Sequence, residues 1–240
     1  MVGDVNNLKR LFGSLSFPGN FKTNINQKIH ISLSSFIEFQ KMSTYTIKYF
    51  PSPGRAFVTR VMLNLAGATW KNEFPEWPQE KPNMPYERMP VLVEKRADGS
   101  EFVLTESNVI ERYIAQKYGF LPGDLVEAAT LEQYVSHMLD SRDAIRQIVF
   151  STDNEENRRK ATETTKFFIK KHEPVLAKSS SGFHHGDKVS YPDIFLLYIY
   201  NFSEMSSIAG TFNETDCPNI MKLIKILKEN PLISSVSNDK

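Results

Sequence analysis

A chain of 240 residues has room for one large domain or two small ones, and for a sizeable core. Its formal charge of +1, with 24% of residues charged, supplies no field for gathering a polyanion, so nucleic acid is not an expected partner. No run approaches the roughly 18 consecutive apolar residues of a membrane span, and the single cysteine, Cys217, excludes an intramolecular disulfide, a CxxC redox centre and a cysteine-rich zinc site. One cysteine also fits a reducing compartment. The histidines (His30, His137, His172, His184, His185) give neither HExxH nor another metal-ligand spacing, so no metal is expected. His184 and His185 lie in SSSGFHHGDK and read as a solvated turn. Walker, GxGxxG and GxSxG motifs are absent.

Residues 1–41 are rich in Asn, Ser and Lys, with two acids, Asp4 and Glu38, and no sustained helical period. An acid-poor, Ser-rich opening suits a transit peptide, although Arg10 is its one arginine; alternatively Met42, which opens MSTYTIKYF, marks the true start. Either way the segment is expected to be disordered and dispensable for activity.

After Met42 the pattern sharpens. Thr44–Phe50 alternates as a strand does, and Gly54–Ala66 carries Val58, Met62, Leu65 and Ala66 at helical spacing, with Gly67 as its stop. Ala68–Phe74 reads as a second strand. Pro90–Glu94 and Glu101–Leu104 form a hairpin closed by KRADGS, where Asp98-Gly99 marks the turn. Thr105–Tyr118 is a helix with Val109, Ile110, Tyr113 and Ile114 on one face. This βαβ-ββα order is the thioredoxin-type α/β arrangement. GFLPGD (119–124) is a linker. Beyond it Leu125–Phe150, Asn154–Leu176 and Cys217–Lys228 are helical patterns. Ser190 with Asp193 three residues on forms a capping box, and Val189 with Ile194 a hydrophobic staple, before a helix apolar on nearly every side. The fold class is thus a thioredoxin-like α/β domain followed by an all-α domain, with expected boundaries at 1–43, 44–121 and 122–240.

A thioredoxin-like half without CxxC, joined to an all-helical half, resembles the glutathione transferases, and particular residues sharpen the resemblance. Tyr49-Phe50 followed by Gly54-Arg55-Ala56 is similar to the sigma-like, tyrosine-using branch. WPQEKP (77–82), RMPVL (88–92), TESN (105–108) and SYPD (190–193) match further family segments in order, so the resemblance covers about Thr44 to the C-terminus. It implies a co-substrate, glutathione, whose thiol must become a thiolate. A thiol with a pKa near 8.5 is only a few per cent ionised at pH 7, and a shift of about 2 units corresponds to roughly 2.7 kcal/mol. A hydroxyl donor beside the sulfur supplies much of that.

Tyr49, at a strand end facing a Pro-Ser-Pro-Gly turn, is the implied donor and catalytic residue, where an arbitrary tyrosine would be one more strand aromatic. Ser52 is its rival, since other branches use a serine there; otherwise it is a turn residue. The resemblance gives Arg55 a positive field near the sulfur, where a plain reading makes it a solvated helix-start arginine. Met89-Pro90 is the expected cis peptide, with Met89 pairing main chain to main chain with the cysteinyl unit; the plain alternative is a trans proline at a strand start. Glu106 and Ser107 open a helix whose N-terminus suits the γ-glutamyl carboxylate, Glu106 facing the ammonium, though both are also ordinary helix-start residues. Trp77 and Lys81, four apart and on one face of a helical turn, address the glycine carboxylate or form a surface packing pair. Glu132 falls where the family has an acid reaching into the neighbouring subunit, or is a solvated helix residue. In the branch pattern Gln stands where this chain has Glu106 and Arg88; the first change keeps an acceptor, and the second leaves Arg88 without an assigned contact.

The implied activity is conjugation of glutathione to small hydrophobic electrophiles by a cytoplasmic homodimer, or a mitochondrial one if residues 1–41 are a transit peptide. Alternatives are a glutathione-dependent isomerase of the prostaglandin D synthase kind and a non-catalytic ligand store or structural protein. The acceptor pocket is expected between the 51–55 turn, the first long helix at Val135, Met138 and Leu139, and the C-terminus.

Overall fold

The computed structural model describes residues 43–238, and the expectations for residues 1–41 lie outside that range. Strand β1 (Thr44–Lys48) runs in the middle of a four-stranded sheet of order β2-β1-β3-β4. Strand β2 (Thr69–Glu73) is parallel to it, so the chain must cross over between them, and helix α1 (Phe57–Leu65) supplies the crossover. Strands β3 (Val91–Lys95) and β4 (Glu101–Thr105) form the expected hairpin, β3 antiparallel to β1. Its turn closes with Arg96 N–H donating to Ser100 O, while Gly99 adopts φ 82° and Asp98 accepts from the Ser100 amide and hydroxyl.

Tyr45, Ile47 and Leu92 point from the sheet into the core, where α1 meets them with every residue from Phe57 to Met62 and Leu63 buried. Helix α2 (Ser107–Tyr118) covers the same face and ends at Gly119, φ 74°. Its buried side differs from expectation. Val109 is exposed, and Ile110, Glu111, Ile114 and Ala115 face inward. Hydropathy alone could not place a carboxylate there.

Five further helices follow among the described residues: α3 (Leu125–Phe150), α4 (Glu155–Ala177), α5 (Tyr191–Glu204), α6 (Pro218–Glu229) and α7 (Pro231–Asn238). Helix α5 is the centre, buried continuously from Tyr191 to Ile199, and packs on α3, α6 and α1. Helix α7 also returns to pack on α1, so this crossover helix joins both halves. No helix of the described residues is long and apolar enough to cross a membrane.

The start of α5 is more heavily bonded than its capping box requires. Asp193 is fully buried, and its Oδ2 accepts from the Ser190 amide at 2.7 Å and the Ser190 hydroxyl at 2.6 Å. Its Oδ1 accepts from the His184 amide at 3.0 Å and lies 2.6 Å from His184 Nδ1. The solvated-turn reading of His184 is therefore corrected. Its side chain is buried because the 178–189 connection folds back to satisfy Asp193, while His185 remains 41% exposed. Nearby, burial drives the pKa of His172 down to about 3 and keeps the ring neutral, with His137 Nδ1 3.0 Å from its Nε2.

Ser190→Ala should cost about 1 kcal/mol, as an ordinary cap does. Asp193→Ala should cost about 3–5 kcal/mol because it strands several buried polar groups at once. Urea midpoints of the two variants check this. Equal losses would mean that His184 adds nothing to the cap.

Candidate functional site

Tyr49 follows β1 and continues its ladder by one bond, its amide donating to Glu73 O at 3.1 Å. Pro51 and Pro53 then prevent the strand from going on. By the two-residue alternation that sends Tyr45 and Ile47 inward, Tyr49 also points to the core side, and it is 8% exposed. Its hydroxyl oxygen accepts from the Arg55 amide at 3.0 Å. The ring lies against Gly54, whose φ is 37° and where a Cβ would come within 2.6 Å of the hydroxyl and 2.8 Å of Cε1. Only glycine lets the turn and the phenol approach this closely.

The turn is fastened by a residue that sequence reasoning missed. Arg60 on α1 is buried at 4% exposure and donates to Ser52 O at 2.6 Å and Phe50 O at 3.3 Å. Its Nε donates to Asn72 Oδ1 at 2.9 Å, and the guanidinium stands 5.8 Å from the centroid of the Tyr49 ring. A signal was present: an arginine inside the apolar run FVTRVML faces the core and needs carbonyl partners.

Sheet register gathers most of the sequence-selected residues. Lys48 pairs with Val91 and Val91 with Thr105, so the residues just after β1, just before β3 and just after β4 share one end of the sheet. These are Tyr49, Met89-Pro90 and Glu106-Ser107. The Met89–Pro90 bond is cis as expected, and Met89 is 9% exposed. Thr105 Oγ1 donates to Pro90 O at 3.3 Å. Ser107 is buried at the first position of α2, whose leading amides have no acceptor within the helix. Glu106 precedes it at φ 68° and forms a surface pair with Arg88 at 3.8 Å, which gives Arg88 a partner. Trp77 reaches the same end through Phe50, its ring 5.8 Å from that of Phe50, which in turn stands 5.3 Å from Tyr49.

The remaining candidates lie outside this cluster or touch it through other atoms. Between Trp77 and Lys81 the chain runs through a turn, Glu80 N–H donating to Glu76 O at 2.8 Å and Lys81 N–H to Pro78 O at 3.1 Å; Lys81 then opens a 3-10 turn (Lys81–Asn83) and pairs with Glu87 at 3.7 Å. Arg55 touches Tyr49 through its main chain. Glu132 is held within its own chain by Arg112 at 3.2 Å.

A cavity of about 720 Å³ opens beside the turn, with Ser52, Pro53, Gly54 and Phe57 on one wall and Leu197 and Tyr198 on another. Helix α3 contributes Val149 and Phe150, not Val135, Met138 and Leu139. Val135 and Met138 are buried in the core, since only the C-terminal end of this 26-residue helix reaches the turn. Ile233 and Ser234 of α7 complete the lining as expected of the C-terminus.

An aromatic hydroxyl and a buried helix-start serine thus share one end of the sheet, and an apolar cavity opens beside the adjoining turn. Comparison with known proteins names the family. Residues 45–116 match the model of the glutathione S-transferase N-terminal domain, and residues 139–238 that of its C-terminal domain. Glutathione S-transferase 2 of Manduca sexta is 25% identical over 201 residues, 81% of this chain and 95% of its own length. Glutathione S-transferase 3 of Caenorhabditis elegans is 27% identical over 169 residues, 65% of this chain and 78% of its own. The solved structure of NaGST-2 superposes with a TM-score of 0.67 at 26% identity, covering 81% of this chain and 95% of that one. The chain belongs to the glutathione S-transferase family.

Two glycines with positive φ separate backbone strain from contact with the tyrosine. Gly67, φ 63°, has nothing within 4 Å of an added Cβ, so Gly67→Ala should cost about 1–2 kcal/mol and leave activity unchanged. Gly54→Ala should lower turnover at least about tenfold, because displacing the phenol by 1 Å is enough for such a loss. Parental turnover in a folded Gly54→Ala variant would show that the close approach is incidental.

Proposed function

We propose that this chain conjugates glutathione to small hydrophobic electrophiles, with Tyr49 as the residue that stabilises the thiolate, and that it is of the sigma-like, tyrosine-using type. One observation supports this above others. The Tyr49 oxygen already accepts the Arg55 amide, which makes the phenol a better donor and leaves its single proton for a ligand sulfur. The thiol proton passes to solvent, and the sulfur anion forms a bond to the electrophilic carbon. The leaving group departs with the electron pair.

The remaining assignments rest on the family resemblance, supported by position at the end of the sheet for Met89, Pro90, Glu106 and Ser107. The main chain at Met89 and Pro90, beyond the end of β3, pairs with the cysteinyl unit as a short added strand. Ser107 and the leading amides of α2 take the γ-glutamyl carboxylate, and Glu106 takes its ammonium by exchanging Arg88, a surface pair of little worth. Trp77 and Lys81 take the glycine carboxylate, Arg55 adds positive field, and the cavity beside Gly54 takes the acceptor. We further propose a cytoplasmic homodimer with domain boundaries at 44–121 and 122–240, in which Glu132 reaches a partner's site only after leaving Arg112.

Retention on immobilised glutathione together with turnover of an aryl halide tests the activity. Tyr49→Phe should keep glutathione affinity and lose one to two orders of magnitude of turnover at pH 7, about what the loss of a 2-unit pKa shift predicts. The rate should recover as pH rises through about 8.5 to 9, and Ser52→Ala should leave the profile in place. A parental Tyr49→Phe beside an inactive Ser52→Ala would transfer the role to the serine.

A further inference from the structure

Four tyrosines are buried among the described residues, and three of their hydroxyls have protein partners. Tyr45 pairs with Tyr118 at 2.8 Å, Tyr49 accepts from the Arg55 amide at 3.0 Å, and Tyr191 donates to Glu111 at 2.7 Å. The fourth, Tyr198 of α5, is 8% exposed, and its hydroxyl has no hydrogen-bond partner among the described residues. A buried tyrosine hydroxyl usually finds one, so this oxygen is left for whatever enters the cavity that Tyr198 lines. Its ring is held by three others: Phe57 stacks on it at 6.0 Å, Phe202 at 5.8 Å, and Phe195 meets it edge-on at 5.8 Å. Phe57 and Gly54 line the same cavity, and Gly54 is the residue pressed against the Tyr49 hydroxyl. A sulfur held by Tyr49 would thus sit beside a cavity whose other wall carries a second phenol. Three further polar groups at this cavity are engaged elsewhere. Glu204 accepts from the Gly210 amide at 2.9 Å, Ser234 donates to Pro231 O at 3.3 Å, and Lys228 rests on the Tyr200 ring at 4.9 Å.

We propose that Tyr198 is a second catalytic hydroxyl, which binds the oxygen of acceptors whose electrophilic carbon is conjugated to a carbonyl. This rests on the conjugation reading given above. In such an enone the glutathione sulfur anion forms its bond at the β carbon, and the double-bond electron pair moves onto the carbonyl oxygen. The Tyr198 hydroxyl donates to that oxygen as its charge develops, and keeps its own proton. The α carbon then takes a proton from solvent, and the carbonyl re-forms. Burial first, and the nearby Tyr49 phenol second, hold the Tyr198 pKa above the ordinary tyrosine value, so the donor is protonated at neutral pH. Packing among the three rings fixes where the hydroxyl stands before an acceptor arrives. A benzyl halide carries no oxygen, and its halide leaves as an anion without such a donor.

The test compares Tyr198→Phe with the parent on two acceptors, an aromatic enone and a benzyl halide, with melting temperature followed in parallel. The ratio of enone to halide turnover should fall about a hundredfold, as the loss of one donor to a developing oxyanion does. The loss should lie in kcat, because the bond strengthens only as the charge develops. A second readout needs no turnover. With S-methylglutathione, which has no thiol to react, the bound enone should absorb at longer wavelength in the parent than in Tyr198→Phe. The proposal is overturned if both acceptors slow in parallel, if the ratio is unmoved, or if the two spectra coincide. It is likewise overturned if the parent turns over the halide and not the enone. Should Tyr198→Phe fail to fold, the bound enone in the parent and in Tyr49→Phe decides. A red shift kept in both supports the second donor, and absorption as in an apolar solvent overturns it. A parent that turns over neither acceptor would sink the conjugation reading, and this proposal with it.

Discussion

The contact on which the site depends is the hydrogen bond from the Arg55 amide to the Tyr49 hydroxyl oxygen. It exists because Gly54 has no side chain, so the turn lies flat on the ring, and because Arg60 ties the Phe50 and Ser52 carbonyls to α1. A phenol fixed in this way has one rotamer and one outgoing proton, so little ordering is needed when a ligand arrives. The aromatic chain Tyr49–Phe50–Trp77 extends the same rigid end of the sheet outward.

The helical half matters because α1 is shared. It carries the arginine that fastens the turn, and it packs on α5 and α7. Asp193 fixes the start of α5 through Ser190 and His184, and the next turn of that helix presents Tyr198 to the cavity. Packing at the start of α5 therefore positions one wall of the cavity. Glu111 is buried at the same seam, where α2 meets α5, and accepts from the Tyr191 hydroxyl.

The local parts of this design were legible in the sequence. Asp98-Gly99 marks the hairpin, Ser190 and Asp193 mark the start of the central helix, and the strand and long-helix spans agree with the structure to within two residues. The cis Met89–Pro90 bond was expected through the family resemblance alone, since a proline before a strand is otherwise an ordinary trans residue. What escaped were residues whose partners lie outside their own helix or loop. Arg60, Glu111 and His184 each look like ordinary helix or loop residues until the fold supplies a carbonyl, a phenol or a carboxylate. Nor could the sequence show that Val149 and Phe150 line the cavity: periodicity shows which face of α3 is buried but not which end meets the turn.

The account turns on whether Tyr49 lowers the pKa of a bound thiol. The direct measurement is the ultraviolet thiolate absorbance of the protein–glutathione complex, titrated from pH 5 to 10 for the parent and for Tyr49→Phe. The parent should ionise about 2 units below the free value near 8.5, and the variant close to that free value. Titration of both complexes at the free value, or at one shared lower value, would contradict it.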